Sequence, residues 1–321
     1  MKNRLVLSPL CLLLAALPLA RLQAGSVTAI REGTQIIFRD GPREICRYQA
    51  EPGALPRPEI KDIYERGGYL TGLRSPSGVL LTDDFPANHL HHHAVWMAWT
   101  KTEFAGRQPD FWNMGQGKGR VEFVSVEKTW EKDGSAGLTA RHRHVDLQTQ
   151  PATVALNETW NIQVSSAETP VPHFVLDLTS TQTCAGSEPL VLPQYHYGGL
   201  GFRGHGAWDG AKNLQLLTPA GETGRVKINT SRAHWCWLGG EVEGKTAGVL
   251  IMGHPANFRS PQPIRAHPEE PFFCFAPQQL GEMALKPGEE YVSRYRFILA
   301  DGKITPEQAQ HWWEDYAAPP K

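Results

Sequence analysis

The chain has no charge surplus of either sign. Its 321 residues carry 32 Lys and Arg against 33 Asp and Glu, a formal net charge of −1. A protein that holds nucleic acid or an anionic membrane surface gathers basic residues on one face, so neither partner is expected. Beyond the first two dozen residues there is no apolar run of the about 20 residues that a membrane span requires. Cysteine is scarce, five in all, and no two form a Cys-x-x-Cys pair, which removes a zinc knuckle. Nucleotide, serine-hydrolase and zincin chemistry lack their signatures too. No glycine-rich phosphate motif sits between a strand and a helix, and neither Gly-x-Ser-x-Gly nor His-Glu-x-x-His occurs.

The first residues hold the one long apolar stretch. Lys2 and Arg4 precede a run from Leu5 to Ala20, broken by Ser8, Pro9 and Pro18, and Ala24 and Gly25 come after it. A basic start, a short apolar centre and small residues at the end make a secretory signal peptide over residues 1–24. Cleavage after Ala24 predicts a chain that begins at Gly25 and works in the periplasm or beyond. Cys11 lies inside the apolar run and is not preceded by a lipobox. The other four, Cys46, Cys184, Cys236 and Cys274, fall in strand-like segments. An oxidising compartment permits one disulfide, and buried free thiols are the other reading.

Strand signals dominate the rest of the chain. Gln35–Arg39 and Glu44–Tyr48 flank Asp40-Gly41, a hairpin pattern. Arg120–Trp130 and Leu138–Asp146 flank a second turn. Thr153–Val164, His173–Thr183, Thr246–Met252, Phe272–Ala276 and Tyr291–Leu299 read as further strands. Many strands joined by short turns predict an antiparallel sandwich or barrel. The convincing helix runs over residues 306–316. Thr305-Pro306-Glu307-Gln308 supplies its N-cap, its first-turn proline and a capping-box glutamine, and Trp312 or Trp313 is expected to pack on the sandwich.

Polar and titratable residues cluster at a few places. In Asn88-His89-Leu90-His91-His92-His93, an extended backbone puts His89, His91 and His93 on one face and His92 opposite. Three imidazoles can hold a divalent metal, or act as acid, base and hydrogen-bond donors. Ala94–Trp99 comes immediately after, so the cluster opens a core strand. Gln194–Arg203 joins an apolar strand to glycines that admit a ligand closely, with His196 and with Arg203 as a fork for a carboxylate or hydroxyls. Asp110-Phe111-Trp112 pairs an acid with a flat apolar face. His254-Pro255-Ala256-Asn257 sits at a strand end. His142 and His144 share one strand face with Arg141 and Arg143 on the other, and read as solvent-facing.

Together, Asn88–His92, Phe111-Trp112, Tyr197–Arg203 and His254–Asn257 resemble the bacterial PmoA-like family, often labelled methane oxygenase PmoA, over residues 35–302. Where family members read Asp-His-Pro-His-His-Arg-Gly, this chain has Asn88, Leu90, His93 and Ala94, while His89, His91 and His92 stand in matching positions. A methane monooxygenase subunit carries a large membrane part, and this chain has no span after its leader. The family looks more like galactose-mutarotase-type proteins. That resemblance implies one antiparallel β supersandwich over residues 25–321 and a sugar or oligosaccharide as partner. It casts His91, His92, His196 and Asp110 as acid/base groups, and His89, Trp112, Arg203, His254 and Asn257 as substrate-binding groups. Trp112 would be the stacking platform, and all would meet in one cleft. Anomer interconversion, epimerisation, elimination or hydrolysis of a sugar or oxidised sugar would each suit the set. No cofactor is required. The alternatives are a glycan-binding module without catalysis, and a metal-dependent oxidase with a divalent ion on His89, His91 and His93.

Overall fold

A computed structural model describes residues 26–169 and 171–319. The leader expected over residues 1–24 and the start at Gly25 lie outside the described residues. In chain order the strands are β1 (Val27–Glu32), β2 (Gln35–Asp40), β3 (Arg43–Gln49), β4 (Tyr69–Thr71), β5 (Val95–Ala98), β6 (Gly119–Lys132), β7 (Ser135–Asp146), β8 (Thr153–Ala167) and β9 (His173–Cys184). They continue as β10 (Leu190–Leu192), β11 (Gly199–Arg203), β12 (Gln215–Leu217), β13 (Trp235–Val242), β14 (Lys245–Gly253), β15 (Ile264–Ala266), β16 (Phe272–Phe275), β17 (Met283–Leu285) and β18 (Tyr291–Asp301). A one-turn helix α1 (Arg225–Ile228), which the sequence did not announce, joins α2 (Pro306–Ala317).

Two eight-stranded antiparallel sheets form the body. One runs β1-β2-β3-β4-β5-β11-β16-β15, the other β12-β13-β14-β18-β9-β8-β7-β6, and β10 pairs with β17 apart from both. Side-chain alternation makes each strand two-faced. In β8, Glu158, Trp160, Ile162 and Val164 are buried while Asn157, Asn161 and Gln163 are exposed. The inward sets of the two sheets meet in one core. Phe38, Ile45, Met97, Leu200 and Phe273 come from the first sheet, and Leu138, Trp160, Leu176, Val249 and Phe297 from the second. The molecule is an all-β sandwich with a C-terminal helix, as the strand-and-turn pattern predicts. Among the described residues no helix is long and apolar enough to cross a membrane.

α2 is capped as its sequence requires. Thr305 Oγ1 accepts from Gln308 N at 3.2 Å, and Gln308 Oε1 accepts from Thr305 N at 2.8 Å. The helix lies on the outer face of the second sheet, where Trp312, Trp313 and Tyr316 pack against Trp235, Leu250, Met252 and Ile298. All four described cysteines are free thiols. Burial raises the Cys236 and Cys274 thiols to about 12, so they stay protonated and serve as packing.

Two glycine patterns match phosphate motifs by letters alone. Gly239–Thr246 spells the P-loop consensus, but it folds as the β13–β14 hairpin, with Val242 opposite Lys245 across a two-residue turn. Glu243 (φ 50°) and Gly244 (φ 77°) give that turn its left-handed pair. Gly199, Gly201 and Gly204 spell Gly-x-Gly-x-x-Gly along and just after β11. Neither stretch opens an α-helix; the second is followed only by a single three-residue 3-10 turn over Gly206–Trp208, and the phosphate cradle depends on a helix N-terminus.

Candidate functional site

The histidine segment is not extended. His89 N donates to Pro86 O and His92 N to His89 O, each at 2.9 Å, so residues 86–92 form consecutive turns leading into β5. The turns change which rings meet. His89 and His92 stack with centroids 4.6 Å apart, and His91 stands edge-on to both, at 5.6 and 4.6 Å. His93 is turned away. Its Nδ1 lies 2.6 Å from Asp84 Oδ1, and its ring stacks on Tyr69 at 3.8 Å. The metal set His89, His91 and His93 is therefore not assembled. Among the described residues no three His, Cys, Asp or Glu side chains are placed to hold a metal ion.

His89, His91 and His92 line one wall of a cavity of about 220 Å³ on the outer face of the first sheet. Phe272 continues that wall, stacked on His92 at 4.9 Å. His196 and Tyr197, just before β11, line the rim with Asn113, Arg265 and His267 from the β15–β16 hairpin complete the lining, and Glu270 stands next to His89. The floor is aromatic because β11 carries glycine where a side chain would point outward. A Cβ on Gly201 would lie 2.6 Å from the Trp96 ring and 2.8 Å from Trp112. Gly201→Ala is expected to cost about 1–3 kcal/mol by overpacking and to displace Trp112. An unchanged thermal melt would show that the indoles are not held this way.

The sequence-predicted residues divide. His89, His91, His92, Trp112 and His196 come together at the cavity. Trp112 is wholly buried, packed by Trp96 and Tyr197, so it supports the floor and offers no open stacking face. The accessible aromatics are at the rim, where Tyr195, His196 and Tyr197 lie against one another. Asp110 is not at the cavity. Its Oδ1 accepts from Trp112 N and Asn113 N at 3.0 and 2.9 Å, and its Oδ2 from Asn113 Nδ2 at 2.7 Å. It caps the turn that presents Trp112 and Asn113.

Arg203 lies behind the wall, fully buried. It donates to Glu270 Oε2 at 2.9 Å and to Asn88 Oδ1 and Asp209 Oδ1 at 3.2 Å. It fixes Glu270 and is not a ligand clamp. His254 and Asn257 are elsewhere. The Asn257 side chain bonds both backbone groups of Arg294 at 2.8 Å, and His254 packs on Tyr316 of α2. They clamp a loop to β18, so the single cleft gathers three of the four expected segments.

Burial sets the charge of the cluster. It lowers the imidazole of His91 to about 3 and that of His92 well below its ordinary value, and the neighbouring histidines and Arg203 push the same way. His89 is also lowered, chiefly by burial, although Glu270 Oε2 approaches its Nδ1 at 3.1 Å and opposes the shift. At neutral pH the wall is thus three uncharged rings, each with one N–H donor and one acceptor nitrogen. His92 Nδ1 is buried without a partner, so any proton it trades with a ligand passes through Nε2. His196, exposed at the rim, is lowered by burial and by Arg265. His267 Nδ1 accepts from Glu269 N and Glu270 N, which leaves its proton on Nε2.

Sequence reasoning missed Arg265, His267 and Glu270. Their segment, Arg265–Pro271, is a charged, proline-bounded turn directly before the apolar strand Phe272–Phe275. It is the same arrangement that drew attention to the histidines before β5.

The fold and the cavity define an all-β sandwich with an imidazole-lined pocket outside one sheet. The chain belongs to a family of unknown function (DUF6807), whose profile matches residues 36–314. No curated protein matches it significantly.

Proposed function

We propose that the protein is exported and binds a single sugar ring in the histidine cavity, where His91, His92 and His196 carry out acid/base chemistry on it. One observation carries the reading: uncharged imidazoles and aromatic rings share one pocket. Imidazole N–H and N atoms match the donor and acceptor of a sugar hydroxyl, and the Phe272 and Tyr197 rings match the apolar face of the ring. At about 220 Å³ the cavity is smaller than the ~300–1,000 Å³ of drug-sized sites, which favours one ring over an oligosaccharide.

Isomerisation, elimination and hydrolysis each need one group to take a proton and another to return it. His196, open to solvent at the rim, can exchange protons with water. His91, uncharged down to about pH 3, accepts a proton only as negative charge develops beside it. A panel of sugars followed by NMR for turnover tests the proposal. His91→Ala and His196→Ala should each lose at least ~100-fold in rate, the scale of a lost general acid or base, with the melt little changed. If the protein binds sugars without turning any over, and Tyr197→Ala weakens binding more than either histidine change, the site is a glycan-binding module.

A further inference from the structure

We infer that the sugar taken by this cavity carries a carboxylate, as a hexuronate does, and that Arg265 is the residue that reads it. The inference rests on the sugar reading above and narrows its substrate class. Arg265 lies on β15, the edge strand of the first sheet, with Ile264 and Ala266 in the core beneath it. Alternation therefore points its side chain to the outer face, where it lines the cavity. Its one side-chain hydrogen bond is from Nη1 to Asn229 Oδ1 at 3.1 Å, and among the described residues it forms no ion pair.

The contrast with the other charges is chemical. Arg203 is taken up by Glu270, Asp209 and Asn88. Glu270, the cavity's carboxylate, is in turn neutralised by Arg203 at 2.9 Å and faces His89. Arg265 is left as the cation at the cavity without a counter-charge. Beside it stand His267, whose proton is fixed on Nε2, and His196 at the rim. That end of the pocket is rich in donors, whereas the His89–His92 wall offers donors and acceptors in equal number. A carboxylate accepts only, and a guanidinium can meet it with two parallel N–H groups. A hexuronate laid with its carboxylate at Arg265 would put its ring against Phe272 and its hydroxyls at the imidazoles.

Isothermal titration of the whole protein with glucuronate, galacturonate and mannuronate, each beside its neutral hexose, tests this. At least one uronate should bind about 10- to 100-fold tighter than its hexose, the range for a hydrogen bond to a charged group. Arg265→Gln should bring uronate affinity down to that of the hexose and so abolish the ratio, and Arg265→Lys should restore part of it. The wild-type ratio needs no variant, so a poorly folded Arg265→Gln does not shield the idea. Hexoses bound as well as uronates would overturn the carboxylate inference and spare the sugar reading. Loss of hexose and uronate binding alike in a folded Arg265→Gln protein would do the same. Binding of no sugar at all would overturn both.

Discussion

Replacing Glu158 with leucine is expected to lower the melting temperature by about 5–8 °C, at roughly 1.6 °C per kcal/mol for about 300 residues that each contribute ~2.1 cal/mol/K of unfolding entropy. Glu158 lies on the inward face of β8 and is fully buried. Its Oε1 accepts from Trp160 Nε1 at 2.9 Å, Ser180 Oγ at 2.5 Å and Gln182 Nε2 at 3.0 Å, and its Oε2 from His144 Nε2 at 3.1 Å. Burial works to raise this carboxyl, and the imidazoles of His142 and His144 overcome it and hold the group well below its usual range. Tyr48, held protonated by burial, sits 2.7 Å from His142 Nε2 and donates to it, which leaves the His142 proton on Nδ1, 3.6 Å from Glu158. Arg66, wholly buried with neither terminal nitrogen hydrogen-bonded, is brought down to about 10 by burial, and Tyr69 and then Glu158 push the other way. Removing one member of a buried charge set strands the other and costs about 3–5 kcal/mol, which sets the expected shift. The damage should reach the cavity, because Gln182 also holds the Trp99 indole at 2.7 Å, and Trp99 O accepts from Phe111 N beside Trp112. Adding Arg66→Met should recover part of the loss, because the stranded cation goes with it. A Glu158→Leu melt within about 2 °C of the parent, less than the smallest shift a buried charge set implies, or strict additivity of the two changes, would refute the coupling.

That network was legible in the sequence, and the reading of it was inverted. Arg141 and Arg143 alternate with His142 and His144 along β7, and in a half-buried strand the arginines belong to water. The same alternation puts Leu138 and Ala140 on the histidine side, inside the core. Glu158, between Leu156 and Trp160 on every second residue, carried the matching signal. Strand pairs and the α2 cap were readable because they depend on neighbours close in sequence, as Asp40-Gly41 and Thr305–Gln308 do. The cavity was only half readable. His89, His91 and His92 were found by type, but a pair of turns, not an alternating strand, decides which rings face one another. Arg203 and Asp110 have the chemistry of ligand-binding groups, and the fold commits it to Glu270 and to two backbone amides. Asn257 does the same for Arg294. Nothing local separates a polar side chain that meets a ligand from one that satisfies the chain itself, since both must be hydrogen-bonded once buried.

The second large effect is acid lability that begins well above the carboxylate range. Burial lowers the imidazoles of His89, His91, His92, His93 and His142, with His91 brought to about 3 from an ordinary 6.5. Above pH 6.5 neither the folded nor the unfolded chain protonates them, so they leave stability unchanged. Below 6.5 the unfolded chain binds protons that the folded one refuses. Stability then falls with pH until each folded-state value is reached, and for His91 that window runs from 6.5 to about 3. Each refused proton costs roughly 1.4 kcal/mol per pH unit. His91 alone therefore removes roughly 2–3 kcal/mol between about pH 6.5 and 4.5, and His92 acts in the same direction, against the ~5–15 kcal/mol that holds a domain together. Glu158 acts in the same direction lower down. Its lowered value stabilises the fold above the ordinary 4.5, and that contribution is lost as pH falls towards the folded value. Urea titrations from about pH 7.5 to 4 should show unfolding free energy level to about 6.5 and then dropping steeply. His91→Asn, which cannot take up a proton, should flatten the slope by about 1.4 kcal/mol per pH unit over that window. Stability that stays constant or rises between about pH 6.5 and 4.5 would mean that these rings are already charged in the folded protein, and a wall of charged imidazoles would leave the cavity without the neutral acceptors on which its proposed chemistry depends.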